Sequence, residues 1–210
     1  MRTAILGAGH NGAVVAYNCN VLKPHPSIEV VGFLDDNKTH EWAQLPILGP
    51  LSALHSLRDQ HGIEAILVTA IAAPRKRLSI IEQAQQMGYV IPSLAPPLPP
   101  WVKVGEGSYV DKDAVLHGCN INIGDYAIIG PLAYVEGDTH IGRAAMVSAQ
   151  CFVGYGSKLG ECAHLYQRAM IKPKCIIGDD CVIHPGAQLS MGMTLETGQE
   201  YPRIKREHRF

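Results

Sequence analysis

The chain has 210 residues, with 18 Lys+Arg against 19 Asp+Glu and a formal charge of -1 at pH 7. That balance excludes the basic surface nucleic-acid binding demands, and no apolar run approaches the ~18 residues of a membrane span, so a small molecule is the expected partner. The length suits two modest domains or a repeat array with an appendage, and the charged, glycine-punctuated first segment is unlike a signal peptide, which makes a cytoplasmic location the expectation.

Residues Thr3 to Leu6 form a short apolar run followed at once by Gly7-Ala8-Gly9-His10-Asn11-Gly12 and then by apolar Ala13 to Tyr17. This reads as strand, tight turn, helix. Glycines at such a turn let a phosphate or ribose approach the backbone, and the helix start offers unpaired N–H groups to an anion. A second strand is expected over Glu29 to Leu34, ending in Asp35-Asp36, where an α/β nucleotide fold places the acid that binds ribose or base. Beyond it the pattern predicts a helix from about Leu51 to Gln60, a strand Ala65 to Thr69, a helix Pro74 to Met87 and a strand Tyr89 to Ile91. The sum is a small parallel-sheet domain over residues 1–95. About 95 residues are few for a complete dinucleotide site, so a nucleotide diphosphate is the better fit. Pro92, Pro96, Pro97, Pro99 and Pro100 then forbid a helix or a central strand and mark a passage into a second domain, 96–210.

The second domain is governed by a period of six. Thirteen consecutive steps begin with an aliphatic residue, from Ile123, Ile129 and Val135 through to Leu189 and Leu195. The fifth residue of a step is small in eleven of them, as at Ala127, Ala133, Thr139 and Cys151, and the second is often glycine. This is the hexapeptide signature of a parallel β-helix, in which the aliphatic residue fills the interior and three short strands make one triangular coil. Four-odd turns are expected, rising roughly 4.8 Å each. Residues eighteen apart then stack on one outer edge: Gly137, Tyr155, Pro173 and Met191 in one column, Met146, His164 and Val182 in another. The six cysteines show no CxxC spacing for zinc or redox chemistry, and Cys151, Cys175 and Cys181 sit at the small corner position as buried hydrophobes.

A small Rossmann-like domain with Gly-Phe-Leu-Asp-Asp at 32 to 36, the Ile47-Leu48-Gly49 step, the proline-rich joint and the hexapeptide array together resemble one family. It is the sialic-acid O-acetyltransferase and nucleotide-aminosugar N-acetyltransferase family of bacterial glycan pathways. The resemblance covers nearly the whole chain. It implies an α/β plus all-β molecule with a left-handed β-helix, a homotrimer packed through its β-helices, and an active site at each subunit seam that takes a nucleotide-sugar and acetyl-CoA. It further implies that Gly7, Gly9, His10, Asn11 and Gly12, with Asp35 and Asp36, hold the sugar-nucleotide. Met146, Tyr155, Gly156, His164, Pro173 and Lys174 fall along the expected coenzyme A path.

The family's histidine-acid dyad falls on Gly137 and Asp138, so the acid is present and the imidazole is not. His140, two residues on, is the substitute base within reach along the strand. The second histidine expected near the acyl group corresponds to Met146, the lysine expected after the glycine loop to Ala13, and a usually small position to Tyr155. The closing Gly-x-Pro-Ala-Lys signature is missing. Two readings follow: an acyltransferase acting through Asp138 and His140, or a non-catalytic member that binds a nucleotide-sugar. An amine positioned by the site can also attack a thioester without a strong base, leaving catalysis to orientation and oxyanion donors. A zinc hydratase reading through His117, His164 and His184 lacks the closely spaced histidine pair, and no metal is expected. The tail cations Arg203, Lys205, Arg206, His208 and Arg209 could meet the 3′-phosphate of coenzyme A, or be solvated.

Overall fold

The protein is described from a computed structural model covering residues 1–22, 25–68 and 71–202; the basic tail discussed above lies outside the described residues. Two compact units divide the chain, Met1–Leu94 and Ala95–Phe210.

The first unit holds strands β1 (Arg2–Leu6), β2 (Glu29–Leu34), β3 (Glu41–Trp42), β4 (Leu45–Gly49) and β5 (Ala65–Leu67), and helices α1 (His10–Tyr17), α2 (Leu57–His61) and α3 (Pro74–Gln86). The sheet order is β3-β4-β2-β1-β5, with β4, β2, β1 and β5 parallel and only β3 antiparallel. Parallel strands are covered on both faces, which is why β1 reads as a near-continuous apolar run and buries four of its five residues. Pro74 opens α3 at a position where its missing N–H costs nothing. Leu78, Ile81 and Ala84 then share the buried stripe of that helix.

Several boundaries differ from expectation. The helix expected over 51–60 begins as a 3-10 turn, Leu51–Ser56, before becoming α2. The segment expected as a strand at Tyr89 to Ile91 makes a single bridge, Ala65 to Val90, and the Tyr89 hydroxyl donates to the Leu54 carbonyl at 2.9 Å. Helix α1 continues into a π turn, Asn18–Leu22, where the Asn20 amide pairs both ways with the Val30 backbone at 2.7 and 2.9 Å.

The second unit is a three-sided coil of parallel sheets. Face one carries Tyr109–Val110, Ile128–Ile129, Met146–Val147, His164–Leu165, Val182–Ile183 and Glu200–Tyr201. Face two carries Val115–His117, Tyr134–Glu136, Phe152–Val153, Met170–Ile171 and Gln188–Leu189, and face three carries Val102–Val104, Ile121–Ile123, His140–Ile141, Lys158–Leu159, Ile176–Ile177 and Thr194–Leu195. Two faces therefore have six rungs, so the array starts a turn earlier than the six-residue period shows. The reason is one extra residue. His140 pairs with Asn122 eighteen residues back, but Tyr134 pairs with Val115 nineteen back, which places the additional residue in the corner around Gly118, Cys119 and Asn120.

The interior is an aliphatic column in which Val135, Ile141, Val147, Val153, Leu165, Ile171, Ile183 and Leu189 are fully buried. The corners have a rule of their own. From residue 120 on, the fourth residue of each step is left-handed, at Asn120, Tyr126, Leu132, Asp138, Ala144, Gln150, Gly156, Cys162, Arg168, Lys174, Asp180, Gly186, Gly192 and Gly198. For a non-glycine residue that conformation costs about 1–2 kcal/mol. A backbone bond in the growth direction offsets it: the N–H of Ala144 donates to Asp125, that of Cys162 to Arg143 and that of Asp180 to Glu161, each corner stacking on the one before.

Candidate functional site

In the first unit, β1 runs straight into the glycine loop. Gly7 sits at φ +95, a conformation that excludes a side chain at low cost, and its N–H donates to Leu34 at the end of β2. Asp35 fixes the loop from the opposite side. One carboxylate oxygen accepts from Ala8 N–H at 2.8 Å, and the other accepts from Asn37 and Lys38 at 2.9 and 3.0 Å. Burial alone would raise this carboxyl, yet the three backbone donors outweigh it and hold Asp35 below the usual carboxylate range. Asp36 instead accepts from Leu51 N–H at 2.8 Å and so starts the 3-10 turn. Both acids are thus fastened to the backbone around the loop.

Helix α1 begins at His10 with Gly9 as its cap, extended at φ -84, and a glycine offers no side-chain cap to the first turn. His10 and Asn11 are exposed beside that start, while Gly12 is buried in the helix. A neighbour not anticipated from the sequence completes the loop. Trp42, on the short strand β3, donates its indole N–H to the Gly9 carbonyl at 3.2 Å, meets the His10 ring edge-on at 5.8 Å and carries the Lys38 ammonium 4.3 Å over its face. Two extra residues at left-handed φ, Ala43 and Gln44, make the tight β3–β4 turn that brings Trp42 there. A cavity of about 440 Å³ lies alongside, between Ala13, Ala16, Tyr17 and Asn20 of the helix and Ala43, Gln44 and Leu45 of the hairpin.

In the coil, both predicted columns form. Met146 pairs with His164 and His164 with Val182, while Gly156 N–H donates to Gly137, Lys174 to Tyr155 and Gly192 to Pro173. Gly137, Asp138, Tyr155, Gly156, Pro173 and Lys174 therefore share the corner between faces two and three. Met146 and His164 lie on face one, opposite that corner. Within one chain the residues expected along the coenzyme A path form two separate groups.

At the corner, Asp138 is exposed and its carboxylate accepts from the Tyr155 hydroxyl and from the Asn120 amide at 2.8 Å. The tyrosine bond first and the asparagine bond second hold Asp138 below the usual carboxylate range, and the same bond pushes the Tyr155 phenol up. Tyr155, 48% exposed, is tied from behind by its own N–H to Glu136 at 2.7 Å. His140 is exposed on face three, and the partners of Asp138 are Tyr155 and Asn120 rather than this imidazole.

The other histidines are engaged elsewhere. His164 is 4% exposed, lies 3.3 Å from Ser148 Oγ and stacks on Tyr166 at 3.9 Å, and Tyr166 stacks in turn toward His184, whose Nε2 is 3.1 Å from Glu200. His117 is exposed on face two against Tyr134. Among the described residues no group of three or more His, Cys, Asp or Glu side chains is gathered for a metal ion, and no helix is long and apolar enough to cross a membrane.

No protein-family model and no curated protein matches the chain in sequence. Solved structures do. The chain is similar to PerB from Caulobacter crescentus in complex with CoA and GDP-perosamine, at 25% identity and a TM-score of 0.72, over 92% of this chain and 91% of that one. It is similar to a variant of perosamine N-acetyltransferase from the same organism, also with CoA and GDP-perosamine, at 23% identity and TM-score 0.70 over 93% and 91%. The acetyltransferase domain of PglB from Neisseria gonorrhoeae in complex with acetyl coenzyme A matches at 26% identity and TM-score 0.54, over 94% and 97%. The chain thus resembles hexapeptide-repeat sugar acetyltransferases along nearly its entire length.

Proposed function

We propose that this chain transfers an acyl group, acetyl in the first instance, from coenzyme A to an amino or hydroxyl group of a nucleotide-linked or free bacterial sugar. The observation that carries the reading is the likeness over 92% of the chain to a protein solved with both CoA and a nucleotide-linked sugar. In this reading the first unit is a Rossmann-like nucleotide-sugar domain and the coil is left-handed. Gly7, Gly9, His10, Asn11 and Gly12 face the diphosphate, with Asp35 and Asp36 organising the loop around it. Anion binding there uses the first turn of α1, which Gly9 leaves without a side-chain cap.

The separation of the two coil groups supports a homotrimer. In this reading the face that carries Met146 and His164 in one copy meets the Asp138–Tyr155 corner of another at one cleft, although both of those side chains are buried within their own chain. Acetyl-CoA would lie in that cleft along Tyr155, Gly156, Pro173 and Lys174, with backbone N–H groups receiving the thioester oxyanion. Asp138 and His140 are the side chains of this chain nearest the acceptor.

A second reading, a non-catalytic member that binds the nucleotide-sugar, is favoured by one observation: Gly137 stands where the family's imidazole is expected, and Asp138 pairs with no histidine. Calorimetry tests the first reading. Saturable heats are expected for coenzyme A and for a nucleotide-linked amino sugar. Heat from the sugar without heat from coenzyme A selects the second reading, and heat from neither rejects both.

A further inference from the structure

Gly137 is a consequence of the corner that precedes it. A Cβ added there would stand 2.9 Å from the Cys119 carbonyl oxygen and 3.3 Å from the Cys119 nitrogen, both backbone atoms. A Cβ on Gly118 would stand 3.2 Å from the Gly137 backbone, and Gly118 is itself at φ +108. The two corners are pressed together, and the Asp138 N–H closes the contact by donating to Cys119 at 2.9 Å. The extra residue of the nineteen-residue first turn thus occupies the space that a side chain at 137 would enter. The same residue has a second effect. Asn120, left-handed like the other corners, lies in that enlarged turn with its amide on Asp138, while Tyr155 reaches the same carboxylate from the turn above.

We propose that Asn120 and Tyr155 are positioning residues that hold Asp138 as a fixed anion for the acceptor's amine, so that the enlarged turn replaces an imidazole with a carboxylate that selects an ammonium over a hydroxyl. This deepens the acyltransferase reading and rests on it. A carboxylate with two donors has lone pairs left for an –NH3⁺ group, whose positive charge adds an ion-pair attraction that a neutral hydroxyl on the same carboxylate lacks. Glu136 fixes the Tyr155 backbone rather than the acceptor, and the exposed Cys119 thiol borders the same corner.

The test measures the affinity of the full-length protein for a nucleotide-linked 4-amino sugar and for its 4-hydroxy analogue, at a pH where the amine is protonated. Wild type is expected to prefer the amine by about two- to fivefold. Asp138→Asn should erase the preference without weakening the hydroxy analogue, and Tyr155→Phe should erode it more than Asn120→Ala does. A carboxyl NMR titration of each folded variant supplies the independent readout, with the Asp138 midpoint rising in Tyr155→Phe and less in Asn120→Ala. Equal binding of both sugars by wild type, an undiminished preference in Asp138→Asn, or an unmoved Asp138 midpoint overturns the proposal while leaving acyl transfer standing. Binding of neither sugar overturns the acyltransferase reading and this inference with it.

Discussion

Two residues show how position in the fold sets chemistry. Burial pushes the Cys19 and Cys151 thiols up to about 11 and raises Cys175 and Cys181 as well, whereas Cys119 is exposed at the enlarged corner. Thiolates, not thiols, react with disulfide reagents. At pH 8 one thiol per chain should react rapidly in the native protein, with peptide mapping placing the label on Cys119 and the other five modified only after denaturation. Asp35 makes the complementary case. Its folded carboxyl is held below its unfolded value of about 3.9, so the stabilisation is present above that pH and is lost as pH falls through the folded value. Asp35→Asn keeps one acceptor oxygen and is expected to lose about 1–3 kcal/mol at pH 7 in urea unfolding. The gap from wild type should close as both are taken below pH 4.

At the scale of elements, the coil was the legible part of the sequence because its interior has one aliphatic position every six residues. Two features of it were hidden. The first turn is masked by its additional residue, which puts Leu116 seven rather than six positions before Ile123. The left-handed fourth position is masked because ten of its fourteen occupants are not glycine, among them Tyr126, Leu132 and Arg168; stacking bonds, not residue type, hold them there. The glycines that matter are those where corners touch. A Cβ on Gly142 would lie 2.5 Å from the Gly160 backbone, whereas one on Gly192 meets no atom within 4 Å. Gly142→Ala should therefore cost about 3 kcal/mol through overpacking and Gly192→Ala only about 1–2 kcal/mol through its φ of +71, an ordering that thermal unfolding of the two variants checks. In the first unit the parallel strands β1, β2 and β5 were legible from apolar runs, with β2 at its expected bounds, whereas the parallel strand β4 was not read. The β3 hairpin was not, since a two-residue strand has no periodicity to read, and Trp42 on the glycine loop was missed with it.

For the whole molecule, sequence columns located Asp138, Tyr155, Met146 and His164 correctly along the coil but said nothing of how faces are arranged around it. The fold puts the first pair at one corner and the second on the opposite face, so the proposed shared cleft is a claim about assembly. Light scattering should give three times the 22.8 kDa chain mass, and a single-chain mass at all concentrations would remove the shared cleft. Acetyl transfer itself is read by mass spectrometry of a nucleotide-linked amino sugar incubated with the protein and acetyl-CoA. The sugar is expected to gain one acetyl group while an equal amount of coenzyme A thiol is released. A sugar that binds to saturation with coenzyme A present and is recovered unmodified would contradict it.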